Sequence, residues 1–222
     1  MSQHPIADGR GFWAIIKGVP NSSTPVILIG GPSGSGKSYL ASKFGRPHLP
    51  LDEFYRQISE DGNPVDFPRT GYGEIDWDNS ATWNQEAALQ AIDDLLHRGT
   101  TLVPNYSITT SSYNGHREIA CADGPIVAEG IFLYEILEPL RAKGINVQAY
   151  YVDEPALVTA LRRFVRDVAQ RRKPVLFLVK RGYAFFRAHG ADREKYRQRQ
   201  FTLKSKPELK KLLAKLSTGA SS

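Results

Sequence analysis

The sequence contains very little sulfur, with one cysteine, Cys121, and one methionine among its 222 residues. A single cysteine cannot close a disulfide within the chain, which excludes a disulfide scaffold and gives no sign of an oxidising compartment. Long apolar runs are also missing, since residues 26–29 and 175–179 are far shorter than the ~18 residues that a membrane span needs. Residues 1–10 lack the apolar core of a secretory signal. We therefore expect a soluble, cytoplasmic protein with no membrane partner.

Charge is distributed unevenly along a chain of otherwise ordinary globular composition. The sequence is 41% hydrophobic and 10% aromatic, and its length suits a single domain with a real core. The net charge of +6 conceals a C-terminal part, from Glu154 onwards, with 18 Lys or Arg against 5 Asp or Glu. Such a basic region can face phosphates on a small ligand or a nucleic-acid backbone, or it can be a solvated surface.

Short apolar runs alternate with amphipathic segments. Residues 25–29 form a β-branched run bounded by Pro and Gly, which is typical of a strand buried on both faces. Further strands are predicted at residues 101–103, 126–128 and 147–152, and helices at about 82–98, ending at Gly99, at 132–143, and after Asp153. Strands alternating with helices predict an α/β domain with a mainly parallel sheet. A Lys/Leu-rich C-terminal helix is predicted at 205–222, with fraying from residue 217.

One segment between the first strand and the first helix matches the phosphate-loop motif G-x-x-x-x-G-K-[ST]. It consists of Gly31, Pro32, Ser33, Gly34, Ser35, Gly36, Lys37 and Ser38. Its glycines allow backbone N–H groups to turn around a phosphate, which the positive end of the helix dipole also favours. The motif predicts a nucleotide site for ATP or GTP, in which Lys37 reaches the β- and γ-phosphates and Ser38 binds Mg²⁺.

Two carboxylates follow predicted strands and are candidates for the same edge of the sheet. Glu129 ends the strand at 126–128, where ligands bind in open α/β sheets, and is a candidate for the magnesium site. Asp52 follows a short strand after the phosphate-loop helix. A carboxylate there can accept the proton of an acceptor hydroxyl and help hold Mg²⁺, although a lone Asp after a strand is often only a helix cap. No N-K-x-D motif, which a GTPase should carry, occurs.

Six sequence segments occur in a particular order along the chain. They are the phosphate loop, Asp-x-Phe-Tyr-Arg at 52–56, an acidic and aromatic loop at 75–84, Pro-x-Tyr at 104–106, Val-x-Glu-Gly-Ile at 127–131 and an arginine-rich segment at 163–173. This ordered set resembles that of the uridine and cytidine kinases, and the resemblance covers about residues 26–173. It implies a three-layer α/β/α P-loop fold with a core at 25–58 and 81–173, a substrate-side loop at 59–80 and an arginine-rich lid at 155–190.

The resemblance also implies roles for individual residues. Asp52 would be the catalytic base, and Tyr55, Asp76 and Tyr106 would surround a nucleoside, with carboxylate oxygens on the ribose hydroxyls and rings on the base. The sequence departs from the family pattern at Ser111, which replaces a histidine, and at Ser107 and Asn84, which replace aspartates. Members of the family often form homo-oligomers, so self-association is compatible with the resemblance.

The arginine-rich segment has the periodicity of an amphipathic helix, with Leu157, Leu161, Phe164 and Val168 on one stripe. Its guanidinium groups are suited to phosphate oxygens, and the resemblance assigns that contact to Arg163, Arg166 and Arg171, with Lys173 in place of a last arginine. Arg166 would also neutralise charge that develops on the transferred group.

Three functional hypotheses follow. The first is an ATP- and Mg²⁺-dependent kinase that phosphorylates the 5′-hydroxyl of a nucleoside such as uridine or cytidine. The second keeps this chemistry with another small hydroxyl acceptor, such as a pantothenate-like or sugar-phosphate substrate, because the departures affect base-reading positions. The third, which the basic C-terminal part suggests, is a nucleotide-dependent nucleic-acid-binding or regulatory protein, although a nucleic-acid partner is disfavoured.

Overall fold

A computed structural model describes residues 24–58, 66–71, 73–155, 159 and 190–219. Its centre is a five-stranded sheet whose paired strands all run parallel. The strands are β1 (Val26–Gly30), β2 (His48–Pro50), β5 (Ile126–Gly130), β6 (Val147–Val152) and β7 (Thr202–Lys204). Their order across the sheet is β2-β5-β1-β6-β7. The parallel α/β architecture predicted from the sequence is therefore confirmed.

Helices cover both faces of this sheet and make three layers. They are α1 (Lys37–Phe44), α2 (Gln85–Arg98), α3 (Leu137–Ala142), α4, of which residues 190–198 are described, and α5 (Lys206–Gly219). One buried cluster joins α2 and α3 to the sheet, and a second joins α1 and α5 to its opposite face. β1 contributes residues to both clusters, and all five of its residues are buried. A strand covered on both faces needs apolar residues or glycine throughout, which is what β1 has. Among the described residues, no helix is long and apolar enough to cross a membrane.

Several element boundaries differ from the sequence-based expectation. The helix predicted from residue 82 begins at Gln85, because the Asn84 side chain accepts a hydrogen bond from the N–H of Ala87 at 3.0 Å and so caps it. It ends as predicted at Gly99, whose φ of 75° is left-handed. The segment 132–143 is divided into a 3₁₀ turn (Leu133–Glu135) and the short α3. The C-terminal helix continues to Gly219, beyond the predicted start of fraying.

The strand predicted at residues 101–103 does not belong to the parallel sheet. It lies within β3 (Thr100–Ser107), which pairs antiparallel with β4 (Ser112–Ala120) in a separate two-stranded sheet. The prediction placed it wrongly because a three-residue apolar run does not identify its partner. The polar β4, like β7 and α4, was not predicted.

Tyr196 of α4 is buried against the end of β1 and makes the glycine at that position necessary. A β-carbon built on Gly30 would lie 2.7 Å from Cζ of this ring, which is itself packed among Tyr134, Tyr151 and Phe201. Overpacking of a buried site typically destabilises a fold by about 1–3 kcal/mol.

We expect Gly30→Ala to lower the free energy of unfolding by about 1–3 kcal/mol, measured by urea denaturation. Gly71→Ala is the matched control, because a β-carbon there would meet nothing within 4 Å. Equal unfolding midpoints for the two variants would show that the ring moves aside without penalty.

Candidate functional site

The predicted phosphate loop connects β1 to α1 at the carboxyl end of the central strand. Gly34 and Gly36 have φ of 87° and 92°, a left-handed conformation that favours glycine. Gly36 is the N-cap residue of α1 and has no side chain with which to cap it. The first N–H groups of a helix lack partners within the helix, so this end presents donors and a positive dipole to an anion. The loop therefore has the glycines and the backbone donors that binding of a phosphate group requires.

Lys37, the first residue of α1, is buried between two carboxylates. Its Nζ lies 3.4 Å from Asp52 Oδ2 and 3.7 Å from Glu129 Oε2, and only 7% of its side chain is exposed. These contacts bring residues from α1, from the turn after β2 and from the end of β5 to one point. The two carboxylates predicted from strand ends therefore lie together beside the phosphate loop.

Asp52 lies on a 3₁₀ turn (Leu51–Glu53) that follows β2. Its side chain is fixed by a hydrogen bond from the residue that follows β5. Its Oδ1 accepts a hydrogen bond from the N–H of Ile131 at 2.8 Å. The approach requires glycine at position 130, since a β-carbon there would lie 2.9 Å from that oxygen. The Asp52 side chain keeps 37% of its surface exposed, so one side of the carboxylate remains accessible.

The surroundings of Asp52 raise its pKa. Partial burial disfavours the charged carboxylate and is the main cause; the Lys37 charge opposes the shift, and Glu129 reinforces it. A carboxylate with a raised pKa is a stronger base than an ordinary aspartate, which suits a group that accepts a proton.

Glu129 has the opposite balance. Burial acts to raise its pKa, but the imidazole of His48 and the charge of Lys37 outweigh burial, so that the pKa is lowered and the group stays ionised. His48 Nε2 lies 3.5 Å from Glu129 Oε1, at the outer limit of a hydrogen bond. With 5% of the side chain exposed, this is the most enclosed carboxylate of the site.

The residues predicted to bind magnesium have the donors that the ion prefers. Glu129 Oε2 is buried and accepts no hydrogen bond from any described residue, so it has a lone pair available for a cation or its water. The Ser38 hydroxyl also acts on Glu129, where it lowers the pKa, and the Asp52 carboxylate lies beside the same Lys37 ammonium as Glu129. Hydroxyl and carboxylate oxygens fit Mg²⁺.

An aromatic cluster lies next to this group and contains two of the predicted substrate residues. The ring centroids of Tyr55 and Tyr106 are 5.4 Å apart, and Trp77 lies 5.8 Å from Tyr55 and 6.4 Å from Tyr106. The Tyr55 hydroxyl donates to the carbonyl of Trp77 at 3.1 Å. Burial raises the pKa of Tyr106, while a hydrogen bond with Ser111 acts to lower it. The structure thus brings Tyr55, Tyr106 and Ser111 together.

Glu53 connects the aromatic cluster to Asp52. Its Oε2 accepts the N–H of Tyr106 at 2.9 Å, and its Oε1 lies 3.6 Å from Arg117 on β4. The turn that carries Asp52 therefore also fixes the strand that carries Tyr106. The remaining predicted residue, Asp76, directly precedes Trp77 and accepts a hydrogen bond from the N–H of Asp78 at 3.3 Å. This hydrogen bond stabilises the local turn rather than joining Asp76 to the other site residues.

The predicted lid residues Arg163, Arg166, Arg171 and Lys173 lie outside the described residues, as do residues 59–65 and 72 of the predicted substrate-side loop. Sequence reasoning missed Glu53, His48, the Ile131 N–H and Tyr196, whose hydroxyl donates to the Ile131 carbonyl at 2.7 Å. Of these, only Glu53 had a sequence signal, because it directly follows Asp52.

A groove of about 390 Å³ between α2 and the hairpin of β3 and β4 lies apart from this site. It is lined by Asp94 and Arg98 of α2 and by Leu102, His116 and Glu118 of the hairpin, whereas neither Lys37 nor Asp52 contributes to it.

Comparison with known proteins finds similarity in the fold but no match to a family model or to a curated sequence. The solved structure of a candidate fructose transport system kinase from Silicibacter sp. TM1040 is similar, with a TM-score of 0.54 and 18% identity over 76% of this chain and 85% of that one. At this identity the likeness shows a shared fold, the three-layer α/β architecture described above.

A candidate uridine kinase from Bacillus stearothermophilus gives a TM-score of 0.43 with 19% identity, over 63% of this chain and 77% of that chain. The YGR205w protein gives 0.40 with 15% identity, over 78% of this chain and 76% of that chain. Neither score is high enough to support an argument.

Proposed function

We propose that the protein is an ATP- (or GTP-) and Mg²⁺-dependent kinase that transfers the γ-phosphoryl group to the 5′-hydroxyl of a nucleoside, as uridine kinase does. One observation carries the proposal: the accessible carboxylate of Asp52 lies 3.4 Å from the phosphate-loop Lys37. A phosphate held by Lys37 would therefore have a base beside it, which phosphoryl transfer to an alcohol requires.

The chemistry needs only groups that this arrangement can supply. The acceptor oxygen attacks the γ-phosphorus in line, the bond from that phosphorus to the β-γ bridging oxygen breaks, and the hydroxyl proton passes to Asp52. Lys37 stabilises charge on the phosphate oxygens, and the lid arginines Arg163, Arg166 and Arg171 are proposed to do so as well. Ser38 and Glu129 would hold Mg²⁺, which neutralises phosphate charge when bound.

The aromatic cluster is proposed to bind the nucleoside. Tyr55 and Tyr106 offer ring faces to a base, and Asp76 would bind the ribose hydroxyls. A ring stacked on a base contributes about 1–3 kcal/mol, which is enough to set the acceptor preference.

A second acceptor class is supported by one specific contact. Where a histidine is expected from the resemblance to uridine kinases, Ser111 contacts Tyr106 and is in a left-handed conformation with φ of 49°. A hydroxyl at this position reads a base edge differently from an imidazole, so a sugar-like or pantothenate-like alcohol is the alternative substrate. The first similar structure is itself described as a candidate fructose transport system kinase.

An ADP-release assay with Mg²⁺-ATP over nucleosides, sugars, sugar phosphates and pantothenate tests the proposal. Turnover with uridine or cytidine supports the first acceptor class, and turnover only with a non-nucleoside supports the second. Stimulation by RNA or DNA without any small acceptor would contradict both.

We expect Tyr106→Ala to raise the KM for the nucleoside by about 10–100-fold, because it removes the stacking surface. The KM for ATP should change less than about twofold, since the ring packs against Tyr55, Trp77 and Tyr113. Tyr106→Phe is the matched variant that keeps the ring and loses only the contact with Ser111. An equal change in both KM values would mean that the ring supports the fold rather than the acceptor.

A further inference from the structure

The side chain of Lys206 lies against the phosphate loop. Lys206 follows β7, whereas Asp52 follows β2, on the other side of the central strand β1. A β-carbon built on Gly36 would lie 2.6 Å from its Nζ and 2.9 Å from its Cε. The Nζ is also 5.0 Å from the ring centroid of Tyr39, an α1 residue with 47% of its surface exposed. An ammonium group therefore lies at the N-terminal end of the helix that presents donors to an anion.

This position is built by two anchors. The N–H of Lys206 donates to Glu154 Oε1 at 3.2 Å, and Ser205 caps α5 together with Glu208, whose Oε2 accepts the Ser205 hydroxyl at 2.6 Å. One turn further on, the buried Leu209 and Leu213 pack α5 against α1. Because both helices are fixed to each other, Lys206 is held beside Gly36 by the fold.

The carboxylates near the phosphate loop outnumber the positive charge of Lys37, so a bound triphosphate would need a further cation. Lys37 already faces two carboxylates, at 3.4 and 3.7 Å, so its charge is more than matched before any phosphate binds. Within the described part of the chain, no carboxylate forms a salt bridge with the Lys206 ammonium. A triphosphate brings several negative charges, and an unmatched ammonium at the loop favours its binding.

The sheet order indicates which part of the nucleotide Lys206 would meet. Asp52 follows β2, on one side of the central β1, whereas Lys206 follows β7, on the other side. If the γ-phosphate lies next to Asp52, a phosphate chain that crosses the end of β1 has its α-phosphate and nucleoside towards β6 and β7.

We infer that Lys206 binds the α-phosphate end of the nucleotide and is a second lysine of the phosphate site. This inference rests on the proposed use of a nucleoside triphosphate. It also makes α5 part of the nucleotide site, although the phosphate-loop motif gives no indication of a residue so far along the chain.

Calorimetric titration of the full-length protein with Mg²⁺-ATP and Mg²⁺-ADP tests the inference. Lys206→Met should weaken both by about 10-fold or more, in line with the loss of one charged hydrogen bond, and Lys206→Arg should restore most of the affinity. The slope of log Kd against log salt concentration should become shallower in Lys206→Met, because one ionic contact is lost. Lys210→Met, an exposed lysine one turn along α5, is the control.

Two results would overturn this inference without affecting the proposed function. The first is nucleotide affinities of Lys206→Met equal to those of Lys210→Met. The second is an equal loss of affinity in Lys206→Met and Lys206→Arg, with no change in the salt slope. The second result would show that the side chain is needed for packing. A wild-type protein that binds nucleotide but phosphorylates no acceptor contradicts the proposed function and leaves this inference standing. No nucleotide binding by the wild type overturns both.

Discussion

Replacing Asp52 with asparagine is expected to reduce phosphoryl transfer by about 10²–10⁴-fold, the contribution typical of a positioned general base. Asparagine retains an oxygen to accept the 2.8 Å hydrogen bond from the Ile131 N–H, so the turn after β2 should keep its conformation. The affinity for Mg²⁺-ADP, measured by calorimetry, should therefore stay within a few-fold of that of the wild type. Loss of kcat with retained nucleotide binding is the expected pattern.

Asp94→Asn, the same change on the surface of α2, is the control and should leave transfer unchanged. The Asp94 carboxylate contacts two residues of its own helix, Arg98 at 3.2 Å and the Gln90 amide, which donates to it at 2.9 Å. It lines the groove beside α2, to which Lys37 does not contribute. Transfer by Asp52→Asn at the rate of this control would mean that the base lies elsewhere, and the proposed mechanism would then be wrong.

The pH profile gives a second measurement on the same group. A base must be deprotonated to act, so kcat/KM should fall as the pH falls through the pKa of Asp52. Because burial raises this pKa, the acid limb is expected above the ~3.9 of an ordinary aspartate. The limb should be missing from the residual activity of Asp52→Asn.

Local signals were sufficient to predict the position of the glycine-rich loop between β1 and α1. The run at residues 25–29, the glycines after it and Lys37 all lie within a few residues of each other, and each constrains the backbone on its own. Asp52 and Glu129 could also be predicted, because carboxyl ends of parallel strands meet at one edge of a sheet. The parallel order of β2, β5 and β1 brings both to Lys37.

The contacts that could not be predicted depend on strand register. Ile131 donates to a carboxylate 79 positions earlier in the chain, and His48 reaches Glu129 only because β2 pairs with β5 so that Pro50 is opposite Glu129. Neither relation produces a periodicity or a motif. The sheet to which residues 101–103 belong was predicted wrongly for a related reason. Their partner strand β4 is polar and has no sequence pattern typical of a strand.

Lys37→Met is expected to have the largest effect, on both activity and stability. The variant loses the cation that we propose stabilises the γ-phosphate, so transfer should fall by at least about 10³-fold. It also leaves Glu129, 5% exposed, and Asp52 without their main counter-charge. Removing one partner of a buried ion pair destabilises a fold by about 3–5 kcal/mol, and the partial exposure of Asp52 puts the expected value near the lower end.

The sign of the pH dependence separates this electrostatic effect from a packing defect. Without Lys37, the folded-state pKa values of both carboxylates should rise above the unfolded values of about 4. Protonation then favours the folded state, so the loss of stability should be greatest at neutral pH and should shrink as the pH falls towards the unfolded values. A packing defect would give a loss independent of pH.

The double variant Lys37→Met/Glu129→Gln completes the test. It removes the buried charge that Lys37 balanced, so most of the lost unfolding free energy, measured in urea at neutral pH, should return while transfer stays absent. Lys43→Met, an exposed lysine on the same helix, should leave both stability and transfer close to those of the wild type. A double variant no more stable than Lys37→Met would show that Lys37 stabilises the site through its packing rather than its charge. Recovered stability without recovered transfer would instead mean that one ammonium group both holds the two strand-end carboxylates together and serves the phosphate.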